Sequence, residues 1–242
     1  MDLNFLLAFC GITFVGAVVQ GVSGFAFGVV VLMVFPYLFG YTSALAFTNL
    51  LVLLLVLYSA WLYRKHCNWQ WIGLGVVVSI VADFIGIVVL AKVGDSPIWH
   101  PLMGAMFIIM ALYLQWGQKK VQVRPCTASY VIFAALSGLV MGAFAVGGPI
   151  MATFYMLATK GKEEYLGTMQ MFSVFTMAAD VFLRIAFGMF SFNMVGYVPL
   201  ALVFMVAGIF VARILVRRMD ALTMRRVICV VMAIDGLVML VR

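Results

Sequence analysis

Charge is the scarcest thing in this chain. Only 10% of its 242 residues are Asp, Glu, Lys or Arg, whereas 67% are hydrophobic, and no single water-soluble core could absorb that much apolar surface with so little polar material to coat it. The four cysteines, Cys10, Cys67, Cys126 and Cys229, stand far apart, which excludes a metal-ligand spacing and reads them as packed thiols. No HExxH, no GxSxG and no convergent His/Cys/carboxylate set occurs, so an intramembrane enzyme is disfavoured. No Walker A lysine motif occurs either, so any coupling must come from an ion, the membrane potential or the substrate gradient. The net charge of +7 is spread over loop ends instead of forming one tract, so it calls for no nucleic acid.

Long apolar runs are what the chain has in abundance. They lie at 44–63, 71–91, 101–116, 165–188, 193–212 and 227–241, each close to the roughly 20 residues that cross about 30 Å of hydrocarbon. Lipid offers a free backbone amide no partner, and the runs are too uniformly apolar for barrel strands, so all are expected to be helices. Residues 3–20 have no basic start and no clear small-residue cleavage site, and are expected to be mature structure. The fold class is therefore an all-α polytopic membrane protein.

Two shorter stretches share an unusual texture. "MGAFAVGGPIMATF" at 141–154 and "QGVSGFAFGVVVLMVFP" at 20–36 both set closely spaced glycines inside apolar sequence. Aligning Gly24 on Gly142 gives an offset of 118, which drifts to 122 for Gly86 on Gly208. The chain reads as duplicated: a first repeat at 1–117, a linker at 118–125 and a second repeat at 126–242. Each half combines two short segments around a glycine tip (3–20 with 25–39, and 127–142 with 148–160) with three full spans. Paired Gly/Pro-interrupted segments point to broken helices at a transporter's binding site; close helix packing of the small-xxx-small kind is the competing use of such glycines.

An odd number of crossings per half inverts the second repeat. Following that path, one side collects Arg64, Lys65, Lys119, Lys120, Arg124, Lys160, Lys162, Arg217, Arg218, Arg225 and Arg226, while the other keeps little beyond Lys92 and Arg242. The positive-inside bias makes the first side cytoplasmic. The linker is then an inside loop and both termini face outward.

The tips "GVSGFAFG" and "GLVMGAFAVGGP", each followed by a small-residue-Thr element ("AFTN" at 46–49 and "LGTMQ" at 166–170), resemble the two halves of the sulfite exporter TauE/SafE family of membrane transporters. The resemblance covers essentially the whole chain. It implies two homologous halves, no cofactor, and transport of small anions, chiefly sulfite and sulfonates. The first tip departs from the family pattern, with "SGFAFG" where a tip richer in glycine is commoner.

The physics of a broken helix fits such cargo. Glycines permit the strained angles of a turn, and Pro149 suits the start of a helix because its missing N–H would be unpaired there. The restarted helix then offers amides and a positive dipole end to an anion. The substrate-binding candidates are accordingly Gly142, Gly147, Gly148 and Pro149 at the second tip and Ser23, Gly24 and Gly28 at the first. Asn49 and Gln170 join them as a pseudo-symmetric pair of amides.

Charged residues inside spans complete the set. Gln170, Ser173, Asp180 and Arg184 fall within one arc of a helix and should face the protein interior. Asp180 and Arg184 are spaced i, i+4 with the acid first, the favourable order for an ion pair. They are read either as a structural pair with Arg184 snorkelling to the outer interface or as an anion-attracting gate with a protonatable acid. Asp83, mid-span and without a partner near in sequence, is a candidate for proton coupling, as Asp235 is to a lesser degree. His66, His100 and the five tryptophans sit at span ends as interfacial anchors.

The leading function is a secondary transporter, an exporter of a small sulfur-containing anion, working by alternating access around a midplane site between the two broken helices. Transport of another small organic anion and a non-transporting structural membrane subunit are the alternatives. The partners are a small anionic substrate, with protons or another ion as the coupling species, and the lipid bilayer; no cofactor and no metal is called for, and a homo-oligomer is left open.

Overall fold

The computed structural model describes residues 3–23, 25–93, 96, 98–113, 115, 124–216, 229–230, 232–234, 236–237 and 240. Every regular element among the described residues is a helix: α1 (Leu3–Ser23), α2 (Phe27–Val31), α3 (Phe35–Phe39), α4 (Tyr41–Tyr63), α5 (Gly73–Val93), α6 (Trp99–Leu112), α7 (Thr127–Phe144), α8 (Gly148–Ala158), α9 (Lys162–Ala186) and α10 (Val198–Val216), with short 3-10 turns at Arg64–His66, Trp69–Trp71 and Phe192–Tyr197. Among the described residues six stretches are long and apolar enough to cross a membrane: Asn4–Gly21, Tyr41–His66, Trp69–Val93, Thr127–Phe144, Glu163–Ala186 and Phe192–Ala212. The chain is an all-α polytopic membrane protein.

Two segments read as short come out longer, and one comes out broken. Residues 3–20 and 127–142 belong to helices of 21 and 18 residues, so each enters its tip as a full-length span. Residues 25–39 divide into α2 and α3 around a turn at 32–34. Pro36 explains part of this: it opens α3, where its absent N–H costs nothing. Gly40, at φ 80°, then turns the chain into α4. The run at 101–116 yields α6, while 227–228, 231, 235, 238–239 and 241 of the last run, Asp235 among them, lie outside the described residues, as do 118–123 of the linker.

The chain forms two compact units that draw on both of the sequence halves. One comprises 1–48, 95–121 and 191–242; the other comprises 49–94 and 122–190. In the first, α1 packs along α10. A stack of Phe5, Phe9, Phe35 and Phe47, with Phe39 and Tyr197 edge-on or tilted, fills its interior. In the second, α5 packs along α7, and the reason is visible in α5's two faces. Gly75, Ser79, Ala82, Asp83 and Gly86 are buried, whereas Leu74, Val77, Val81, Phe84 and Val89 are exposed. Small and polar residues face protein and large apolar ones face outward, the arrangement that packing within lipid favours.

Within each unit the long pair closes in the same way. A Cβ on Gly86 would fall 2.7 Å from the Leu139 carbonyl oxygen, 3.0 Å from Gly142 Cα and 2.9 Å from the Ala143 amide nitrogen. A Cβ on Gly208 would fall 2.7 Å from the Phe14 carbonyl oxygen, 2.7 Å from Ala17 Cβ and 3.1 Å from the Val18 amide nitrogen. Both glycines thus admit a carbonyl at i, a small residue at i+3 and an amide at i+4 of the facing helix. By this packing the counterpart of Gly142 is Ala17; matching tips by glycine content alone had placed it at Gly24.

The second unit is tied at one end. Tyr130 of α7 donates its hydroxyl proton toward the Trp71 and Ile72 carbonyl oxygens, and Tyr155 of α8 donates to Trp71 O at 2.7 Å. Asn68 Nδ2 donates to Glu164 Oε1 at 2.7 Å, the Asn68 amide donates to Thr168 Oγ1 at 3.0 Å, and His66 pairs with Glu163 at 3.1 Å. These bonds satisfy the backbone of the 64–71 turn and hold it against the start of α9.

Candidate functional site

The second glycine tip lies wholly within the second unit. α7 ends at Phe144 and α8 starts at Gly148. The one left-handed residue of the break is Ala145, at φ 58° and ψ 23°, whose amide donates to Met141 O at 2.7 Å. Gly147 has an ordinary φ of −87°. The expectation that the tip glycines themselves adopt the strained angles is therefore corrected. Gly147 is needed for proximity: Ser137 Oγ donates to Gly147 O at 2.9 Å, and a Cβ at Gly147 would collide with the Ser137 carbonyl. Pro149 has no N–H and Ile150 donates to Gly147 O at 3.2 Å, so Gly148 is the residue at which α8 meets what lies before it.

Gly148 lies on the wall of a small cavity. Asp83 and Ser79 come to that wall from α5, Ser137 from α7, and Ser173 and Thr176 from α9, with Met141, Met169, Met177 and Phe172 as its apolar part. Asp83 is 3% exposed, the Asp180 carboxyl stands against it, and neither of its own oxygens has a well-formed hydrogen bond among the described residues. Ser137 and Thr176 spend their hydroxyl protons on the carbonyls of Gly147 and Phe172.

Beside the cavity stands the buried pair. Arg184 and Asp180 are both 0% exposed. Arg184 Nε sits between the two carboxylate oxygens, 3.0 Å from Oδ1 and 2.9 Å from Oδ2, and Nη2 donates to Met141 O at 3.0 Å and Gly142 O at 2.8 Å. Asn49 Nδ2 donates to the Asp180 carboxylate at 2.6 Å. The reading in which Arg184 snorkels to the outer interface is thereby replaced. The guanidinium instead caps the C-terminal carbonyls of α7, supplying positive charge where the helix dipole is negative and holding the helix break open from one side.

The sequence candidates separate accordingly. Asp83 and Gly148 share the cavity; Gly147 holds its neighbour Ser137. Asp180, Arg184 and Asn49 form the adjoining network. Gly142 lies within α7 against α5 and lends its carbonyl to Arg184. Gln170 is buried but is not on the cavity wall, and Pro149 stands one residue behind it. At the first tip, Gly28 is buried in the five-residue α2, and the Phe27 amide that opens this helix donates to Gln20 Oε1 at 2.9 Å. That tip meets its amide with its own side chain. Gly24 and the side chain of Ser23 lie outside the described residues. Gln20, Ser79, Ser137 and Thr176 were not foreseen. Ser79 stands four residues before Asp83 and so on the same helix face, a signal that was present; Ser137 and Thr176 carry none beyond being polar in a span. Among the described residues no three His, Cys, Asp or Glu side chains gather as a metal site.

The family model for Sulfite exporter TauE/SafE matches residues 8–239, nearly the whole chain. No curated protein and no solved structure matches it.

Proposed function

The chain belongs to the sulfite exporter TauE/SafE family, membrane transporters of sulfite and related sulfur anions rather than enzymes, and we propose that it is a secondary exporter of a small sulfur-containing anion such as sulfite or an organosulfonate. In this reading the anion's oxygens are held at the Gly148 end of α8, where the helix dipole is positive and no side chain intervenes. Ser79 and Ser173 add hydroxyls that rotate to donate. A site of uncharged donors binds an anion well enough to strip its water and weakly enough to release it.

The observation that carries this reading is Gly148 opening an 11-residue helix onto a small cavity lined by the long helices of the second unit. The shared packing of Gly86 and Gly208 supports two inverted repeats at 1–117 and 126–242, moving by alternating access, with the 118–125 linker cytoplasmic and both termini outside. Integral placement in the cytoplasmic membrane follows from the family and the spans.

Gly148→Val tests the site. Purified wild-type protein should be stabilised by isethionate or sulfite, and liposomes containing it should carry the anion. The variant should insert normally and lose most of both. Undiminished anion stabilisation and flux in Gly148→Val would reduce the tip to a packing elbow.

A further inference from the structure

We propose that Asp83 carries a proton that binds and leaves together with the transported anion, making the transport proton-coupled. The proposal rests on the anion site at Gly148 and names what regulates it.

The charges around Asp83 do not balance without that proton. From α9, Asp180 and Arg184 face it; Arg184 spends its Nε on both oxygens of Asp180 and its Nη2 on two α7 carbonyls, and its Nη1 has no partner among the described residues. From α7 come Ser137 and Met141; the titratable group of that helix, Tyr130, is bonded to the Trp71 and Ile72 carbonyls at its far end. From α8 comes Gly148, and from Asp83's own helix Ser79. One guanidinium thus stands among two buried carboxyls, and a second buried negative charge without a cation is costly.

The hydrogen-bond inventory points the same way. Ser137 and Thr176, having donated to Gly147 O and Phe172 O, keep only lone pairs to offer, and Asp83 adds two further acceptor oxygens. A proton on Asp83 removes its charge and converts one of those oxygens to an O–H donor. An anion at Gly148 then meets a donor; with the proton gone it meets a carboxylate. Anion and proton therefore favour each other's binding, and the coupling is reciprocal.

The test uses isethionate, whose sulfonate stays ionised across the neutral range, so any pH dependence belongs to the protein. Wild-type affinity should fall with rising pH, approaching tenfold per pH unit on the alkaline side. Asp83→Asn should bind with near the acid-side wild-type affinity at every pH, and in liposomes it should carry isethionate without moving protons. A flat wild-type pH profile with binding intact overturns the proposal without touching the anion site, and so does a slope that persists in Asp83→Asn or a sodium requirement at fixed pH. The wild-type series needs no variant to fold. Absence of isethionate binding at any pH, or full binding in Gly148→Val, would remove the anion site itself and the proton link with it.

Discussion

Arg184 does two jobs with one guanidinium, and that decides what its removal should do. It neutralises Asp180 and caps the Met141 and Gly142 carbonyls at the end of α7. Arg184→Gln strands a buried carboxylate and leaves both carbonyls less well satisfied, a loss on the order of 3–5 kcal/mol for a fully buried pair. Arg184→Lys should rescue little, because a single ammonium cannot reproduce the planar fork that reaches both groups. The double variant Asp180→Asn/Arg184→Gln should be less damaged than the sum of the single variants. Thermal unfolding of the four proteins in detergent closes the cycle, and simple additivity would show that the two residues do not act as a unit.

At the scale of elements, the break between α7 and α8 is held by three different devices: a left-handed Ala145, a close Gly147–Ser137 approach and the Arg184 cap. The left-handed angle costs an L-residue about 1–2 kcal/mol, so Ala145→Gly should leave stability unchanged or raise it by up to about 1 kcal/mol, glycine's greater unfolded freedom offsetting part of the relief. Ala145→Val should be clearly destabilising. The melting temperatures of the two variants check this. A lower value for Ala145→Gly would mean that the turn is not where strain resides.

At the scale of the whole molecule the distribution of cations sets the orientation. Arg64, Lys65 and Lys160 come together at one end of the second unit, where the 64–71 turn is bonded to the start of α9, and Lys92 lies at the other end of the 21-residue α5. The proposed topology, with the positive side inside, expects Lys160 in the cytoplasm and Lys92 outside. In a cysteine-free background, a cysteine at Lys92 should react with an impermeant thiol reagent in intact cells, and one at Lys160 should react only after permeabilisation. The opposite pattern would invert the topology.

The membrane class, the helical content and the family were legible without coordinates because hydrophobic length and glycine placement are local properties of the chain. The Asp180–Arg184 pair was legible for the same reason: i, i+4 is a distance within one helix. What sequence spacing could not supply is which helices meet. Asp83 acquired its neighbours only when α5 packed against α7 and α9, and Ser137 became part of the site only because α7 folds back beside its own continuation. The left-handed residue was misplaced for a related reason. Glycine content marks where the backbone can bend, but the bend itself fell at Ala145, whose amide is held by the Met141 carbonyl while Arg184 caps that carbonyl from another helix. Local chemistry therefore determined the elements and the family, and long-range packing decided which buried groups share one cavity.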